Sequence, residues 1–149
     1  FGEPTQLRPV LQHKGTLRWD ITVTGRSAHS SQPELGRDAI QGAFAVCTWL
    51  KEYQRQLQQL HRNPLLSGPT LTVTMIRGGR TRNAVADECT LSVDFRIPPG
   101  IDPKGALHEV QSYLDEQITM QTNQSKPWDL CISHGPLQLA TPALSTEPQ

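Results

Sequence analysis

Nowhere in this chain do about 18 apolar residues run together, the length a membrane-crossing helix needs. No basic stretch followed by an apolar one opens it either, so neither a membrane span nor a secretory leader is expected. Net charge is missing as well. Lys plus Arg and Asp plus Glu each number 14, which leaves no overall field to draw the chain onto nucleic acid or an anionic membrane. Any ligand must be caught by local chemistry. The cysteines are only three, Cys47, Cys89 and Cys131, with no CxxC pair. Each lies in an apolar run, which predicts buried thiols in a reducing compartment and a cytoplasmic location.

What is present suits one globular domain, since 149 residues with 36% hydrophobic and 19% charged content suffice for a single core. Residues 16–24 alternate, with Leu17, Trp19, Ile21 and Val23 on one side and Arg18, Asp20, Thr22 and Thr24 on the other, and predict a half-buried strand. After the polar stretch RSAHSSQPELG the period changes. Ile40, Ala43, Phe44, Cys47, Leu50 and Leu57 predict an amphipathic helix from about Arg37, stopping before Asn63 and Pro64. A second strand is expected over 70–76 with Leu71, Val73 and Met75 inward, and a third over 88–97 with Cys89, Leu91, Val93 and Phe95 inward. Asp102 and Pro103 then supply an N-cap and first-turn proline for a second helix, with Leu107, Val110, Leu114 and Ile118 as its apolar stripe. Trp128, Leu130 and Ile132 suggest a short last strand, and 136–149 reads as a linker without period.

Strand, helix, strand, strand, helix, strand is the order of an α+β ferredoxin-like sandwich, a four-stranded antiparallel sheet with two helices on one face. That architecture hosts many functions, so residues must decide. His29 sits on the long connection after the first strand, where a rigid scaffold can project a side chain; the plain alternative is a solvated histidine. His13, His61, His108 and His134 lack partners at metal-ligand spacing. In GGRTRNAVADECTLSVDFR, Asn83 offers amide donors and an acceptor, and Arg96 offers a bidentate fork for a carboxylate. The plain alternative there is a surface arginine paired with Asp94. The segment FGEPTQLRPV, with Glu3, belongs to no element of the sandwich, so residues 1–12 are expected to be a remnant of another domain.

Together, GEPT at 2–5, HKG at 13–15, GRSAHSS with Pro33 and Gly36, and GG followed by Asn83 and DFR at 94–96 resemble the zinc-dependent deacylase and carboxypeptidase family, most of all its acetylornithine deacetylase branch. The resemblance implies that residues 13–135 are the lid and dimerisation domain of a two-domain, dinuclear metalloenzyme acting on N-acyl amino acids, with zinc or cobalt as metal and 136–149 returning to the catalytic domain. It implies a homodimer joined through the lid sheet, with the 70–76 strand as edge. By the same resemblance His29 is the catalytic lid histidine that steadies the oxyanion in the partner subunit's site, Asn83 and Arg96 contact the substrate's amide and carboxylate, and Glu3 ligates one metal. The family's His-x-Asp motif, Glu-Glu pair and late metal-binding histidine are not in the chain, so by itself it is expected to bind no catalytic metal and hydrolyse nothing. A free-standing ferredoxin-like amino-acid sensor fits the fold but leaves GEPT, HKG and the placement of His29 and Asn83 unexplained. An RNA-binding module would need exposed aromatics and a basic balance.

Overall fold

A computed structural model describes residues 12–62, 66–122 and 130–145. In order, its elements are β1 (Gln12–His13), β2 (Gly15–Thr24), a 3-10 turn (Pro33–Leu35), α1 (Ala39–Leu60), β3 (Thr70–Gly78), β4 (Glu88–Ile97), α2 (Pro103–Thr122), β5 (Cys131–His134), β6 (Leu139–Thr141) and β7 (Leu144–Ser145). The main sheet runs β3-β4-β2-β5, with β6 also pairing β2, and every pairing is antiparallel. The ferredoxin-like sandwich expected from the sequence is the fold observed.

Period-two alternation makes the sheet one-sided. Leu17, Trp19, Ile21 and Val23 of β2 and Leu91, Val93, Phe95 and Ile97 of β4 are all essentially inaccessible and face the helices. Onto them α1 lays Ala39, Ala43, Val46, Leu50, Tyr53 and Leu57, and α2 lays Ala106, Val110 and Leu114. Burying a side chain such as Leu50 or Val110 contributes about 1.5–3 kcal/mol, and these rows make one continuous core. Both helices begin on an aspartate: Asp38 Oδ1 accepts from the amides of Ile40 (2.9 Å) and Gln41 (3.4 Å), and Asp102 Oδ2 accepts from Gly105 (2.7 Å).

Four details differ from the sequence reading. Phe44, placed on the apolar stripe of the first helix, is 57% exposed, because the true stripe is rotated onto Ala39, Val46 and Tyr53. Met75 is 48% exposed rather than inward, because a β-bulge between Val73 and Met75 shifts the register: Met75 pairs with Ser92 on the outer side, and Ile76 pairs with Leu91. Of the three cysteines only Cys89 is buried; Cys131 pairs with Thr24 and shares its exposed face. The stretch expected to be a linker carries β6, paired with Thr16–Arg18, and β7, paired with β1. The sheet position next to β2 is thus shared by two short strands, β5 along 21–24 and β6 along 16–18. Gly15 permits the crossing at that end, since a Cβ there would lie 2.6 Å from the Thr141 carbonyl oxygen.

Candidate functional site

The residues singled out on loops cluster at the end of the sheet where β2 stops and β4 starts. There the 25–38 connection closes on itself: the Arg26 and Arg37 amides and carbonyls exchange hydrogen bonds of 2.9 and 2.8 Å, and the Gly25 amide donates to the Asp87 carbonyl at 2.8 Å. Gly25 is required for this neck, because a Cβ would sit 2.0 Å from the Arg37 carbonyl oxygen. The body of the loop then pairs with the 79–87 connection. Ser30 donates to the Asn83 carbonyl (2.9 Å), Val85 donates to the Ala28 carbonyl (2.8 Å), and His29 stands opposite Ala84 as an isolated bridge. Ala39, the first residue of α1, donates to the Ala86 carbonyl (2.9 Å), so the helix start anchors the same ribbon.

His29 and Asn83 are therefore carried on one two-loop ribbon, both exposed. The Ser31 amide donates to His29 Nδ1 at 3.1 Å, and Ser31 Oγ lies 2.7 Å from the same nitrogen. A backbone amide can only donate, so Nδ1 accepts and the neutral ring carries its proton on Nε2. That leaves Nε2–H as an outward donor, the group an oxyanion needs. Asn83 engages the ribbon through its backbone carbonyl; among the described residues its side-chain amide has no hydrogen-bond partner.

Arg96 is not brought to this ribbon. It pairs in register with Thr16, eight positions along β2 from the Thr24–Glu88 pair, which is about 26 Å along a strand. There its Nε donates to Asp94 Oδ1 (2.6 Å), its Nη2 to Asp94 Oδ2 (3.3 Å) and its Nη1 to Thr16 Oγ1 (2.8 Å). Arg18 Nε shares the same carboxylate at 2.6 Å. Burial pushes the Asp94 carboxyl up, but hydrogen bonds from Arg96 and then Arg18 outweigh it and hold it below the usual range. The pairing weighed against an Arg96 role is thus present, with part of the guanidinium still unspent.

Beside Arg96 stands Lys14, the middle residue of the HKG motif. Lys14 Nζ donates to Ser67 Oγ and to the Gly68 carbonyl, both at 2.8 Å. Burial first, and the Arg96 charge second, lower its pKa. Spacing offered no signal for it, because Ser67 and Gly68 reach Lys14 only through the fold. Of the other histidines, His61 and His108 line a groove of about 380 Å³ between α1 and α2, together with Tyr53 and Tyr113. None of the residues lining this groove belongs to the ribbon that carries His29. His134 is different: both ring nitrogens are buried without a partner among the described residues. No group of three or more His, Cys, Asp or Glu able to hold a metal ion occurs among the described residues. The described part therefore does not fit a metal centre, and Glu3 lies outside it. No helix of the described residues is long and apolar enough to cross a membrane.

Two acetylornithine deacetylases are similar to the chain: that of Pectobacterium atrosepticum is 34% identical over 141 residues, covering 92% of this chain and 36% of that protein, and that of Proteus mirabilis is 38% identical over 114 residues, covering 73% and 30%. The chain thus spans roughly a third of the length of these relatives. Among solved structures, a hydantoinase/carbamoylase family amidase from Burkholderia ambifaria superposes with a TM-score of 0.66 at 18% identity, over 91% of this chain and 30% of that one. A tripeptidase from Staphylococcus aureus gives 0.61 at 21% identity, over 91% and 32%. These likenesses carry the fold. The peptidase dimerisation domain family matches residues 11–119. By that match, the chain belongs to the peptidase dimerisation domain family.

Proposed function

We propose that this domain is the lid and dimerisation module of a dinuclear metal-dependent amidohydrolase that removes the acyl group from N-acyl amino acids, as the name of its acetylornithine deacetylase relatives suggests for the whole protein. The observation that carries the reading is His29, held on a cinched ribbon with Nδ1 occupied and Nε2–H free. In the reaction His29 donates to the oxygen that gains negative charge as the acyl carbon becomes tetrahedral, a placed donor typically worth about 100- to 1,000-fold in turnover. Asn83 takes the substrate's amide, and Arg96 takes its carboxylate. Zinc or cobalt belongs to the rest of such an enzyme, with Glu3 as the one ligand from this chain. The isolated chain is expected to bind no catalytic metal and to hydrolyse nothing, because at least three protein ligands are needed to fix a zinc ion.

The separation of Arg96 from His29 argues for a two-subunit site. Among the described residues β3 is one edge of the sheet, β5 and β6 the other, and on the β3 side Met75, Ile76 and Phe44 of α1 are exposed. Two copies joined edge to edge by a two-fold axis pair their β3 strands antiparallel. Each copy's Arg96 end then lies beside its partner's His29 end, so one substrate meets Arg96 from one lid and His29 and Asn83 from the other. A free-standing amino-acid sensor explains the fold but gives His29 no task.

A chimera tests the reading. The Pectobacterium atrosepticum acetylornithine deacetylase, with its matching segment replaced by residues 13–145, should hydrolyse N-acetylornithine in a metal-dependent way. His29→Ala in that chimera should cut kcat by about 100- to 1,000-fold with little change in KM. A folded, dimeric chimera in which His29→Ala leaves kcat unchanged sinks the role of His29.

A further inference from the structure

The sheet end opposite His29 holds more positive charge than its structure requires. Lys14, Thr16 and Arg18 alternate along one chain segment, and Thr16 is paired with Arg96. Lys14, Arg18 and Arg96 are three cations; Asp94 is the one carboxylate hydrogen-bonded to them among the described residues. It is spent on the two arginines. Lys14 is held by two neutral acceptors, Ser67 Oγ and the Gly68 carbonyl. A third ammonium proton remains, as do unspent guanidinium protons on Arg96. Fixing like charges beside each other is unfavourable; burial is the larger cause of the lowered Lys14 pKa, and the Arg96 charge adds to it in the same direction. An anion landing between them reverses the sign of the interaction. Because Ser67 and Gly68 already immobilise Lys14, little side-chain entropy is left to lose on binding.

We infer that Lys14 and Arg96 form a two-cation clamp for a carboxylate, with Lys14 as a second substrate-binding cation beside Arg96. This deepens the lid reading and rests on it. The occupant is the free α-carboxylate of an N-acyl amino acid. A monoanionic N-acetyl amino acid is bound there and its carboxamide is not, since an amide offers the clamp no charge.

The test uses the 149-residue chain with lysine side chains labelled with ¹³C, read by NMR. Lys14 should titrate below the ordinary lysine range. N-acetyl-L-alanine should return it toward that range, and N-acetyl-L-alanine methylamide should not. Lys14→Gln should weaken N-acetyl-L-alanine binding about tenfold, the loss of one charge-assisted hydrogen bond, without a matching loss of melting temperature, and Lys14→Arg should restore most of it. Equal displacement by acid and amide overturns the clamp. So does a Lys14 signal that neither ligand moves; if His29 and Asn83 signals respond while Lys14 does not, the clamp fails and the lid reading stands. A Lys14→Gln melting temperature that falls in proportion to affinity makes Lys14 a structural tie to the 67–68 turn and likewise overturns the proposal.

Discussion

Gly25→Ala isolates the physical basis of the His29 loop. The added methyl would lie 2.0 Å from the Arg37 carbonyl oxygen and 3.0 Å from Leu130 Cδ2. The first contact is with backbone, which cannot rotate aside. Relief requires the neck of the loop to open, which removes the reciprocal Arg26–Arg37 hydrogen bonds and the bond from Gly25 to Asp87. Three bonds at about 1 kcal/mol each give roughly 3 kcal/mol. Alanine also restricts the unfolded chain, which returns about 0.4–1 kcal/mol. The net destabilisation is about 2 kcal/mol, or a fall of about 6 °C in melting temperature for a domain of this size. Urea unfolding of both proteins measures the first quantity, and hydrogen exchange at the Arg26 and Arg37 amides reports whether the neck is where the cost falls. A loss below about 0.5 kcal/mol, or unchanged protection at both amides, refutes the reasoning. Gly36→Ala is the control: its Cβ would meet the Arg26 carbonyl oxygen and Val85 Cγ1 at 3.0 Å, a gap that a shift of a few tenths of an ångström relieves, so its penalty should be clearly smaller.

Other consequences follow from the same geometry. Burial lowers the His134 pKa, with Asp115 opposing as the lesser influence, so the folded state takes up a proton less readily than the unfolded chain. The stability this gives is complete above the unfolded value of 6.5 and is lost as pH falls below it; denaturation across pH 5 to 8 should show that slope, and His134→Gln should flatten it. Asp38→Ala removes the acceptor for the Ile40 and Gln41 amides and should cost about 1 kcal/mol in urea unfolding, with the loss restored by Asp38→Asn. Ile76→Lys places a charge on the exposed β3 edge; for the proposed edge-to-edge dimer, sedimentation equilibrium should show a dissociation constant raised about tenfold at unchanged thermal stability, and an unaffected dimer would move the interface elsewhere.

Much of this was legible along the chain because it depends on periods and on local chemistry. The two-residue alternation in Leu17–Val23 and Cys89–Phe95, and the Asp-Pro start of α2, are satisfied within one element and need no knowledge of neighbours. His29 and Asn83 could be named as candidates because they lie on loop segments punctuated by Ser, Pro and Gly, and their roles came only from the family resemblance. Their union on one ribbon could not, since the Ser30–Asn83 and Val85–Ala28 bonds join residues more than 50 positions apart. Lys14 was hidden for the same reason.

The sequence by itself determined the element order from β2 to β5, the inward face of β2 and β4 and the Asp102 cap of α2, because each is set by interactions within a few residues. Tertiary structure decided the rest. A bulge opposite Ser92 turned Met75 outward, helix rotation left Phe44 exposed, and the spare length of the last segment filled the sheet position beside β2 with two short strands. It also set Arg96 and Lys14 at one end of the sheet and His29 at the other. Those outcomes come from packing and register between distant segments, where the competing choices differ little locally and only the assembled sheet and core select among them.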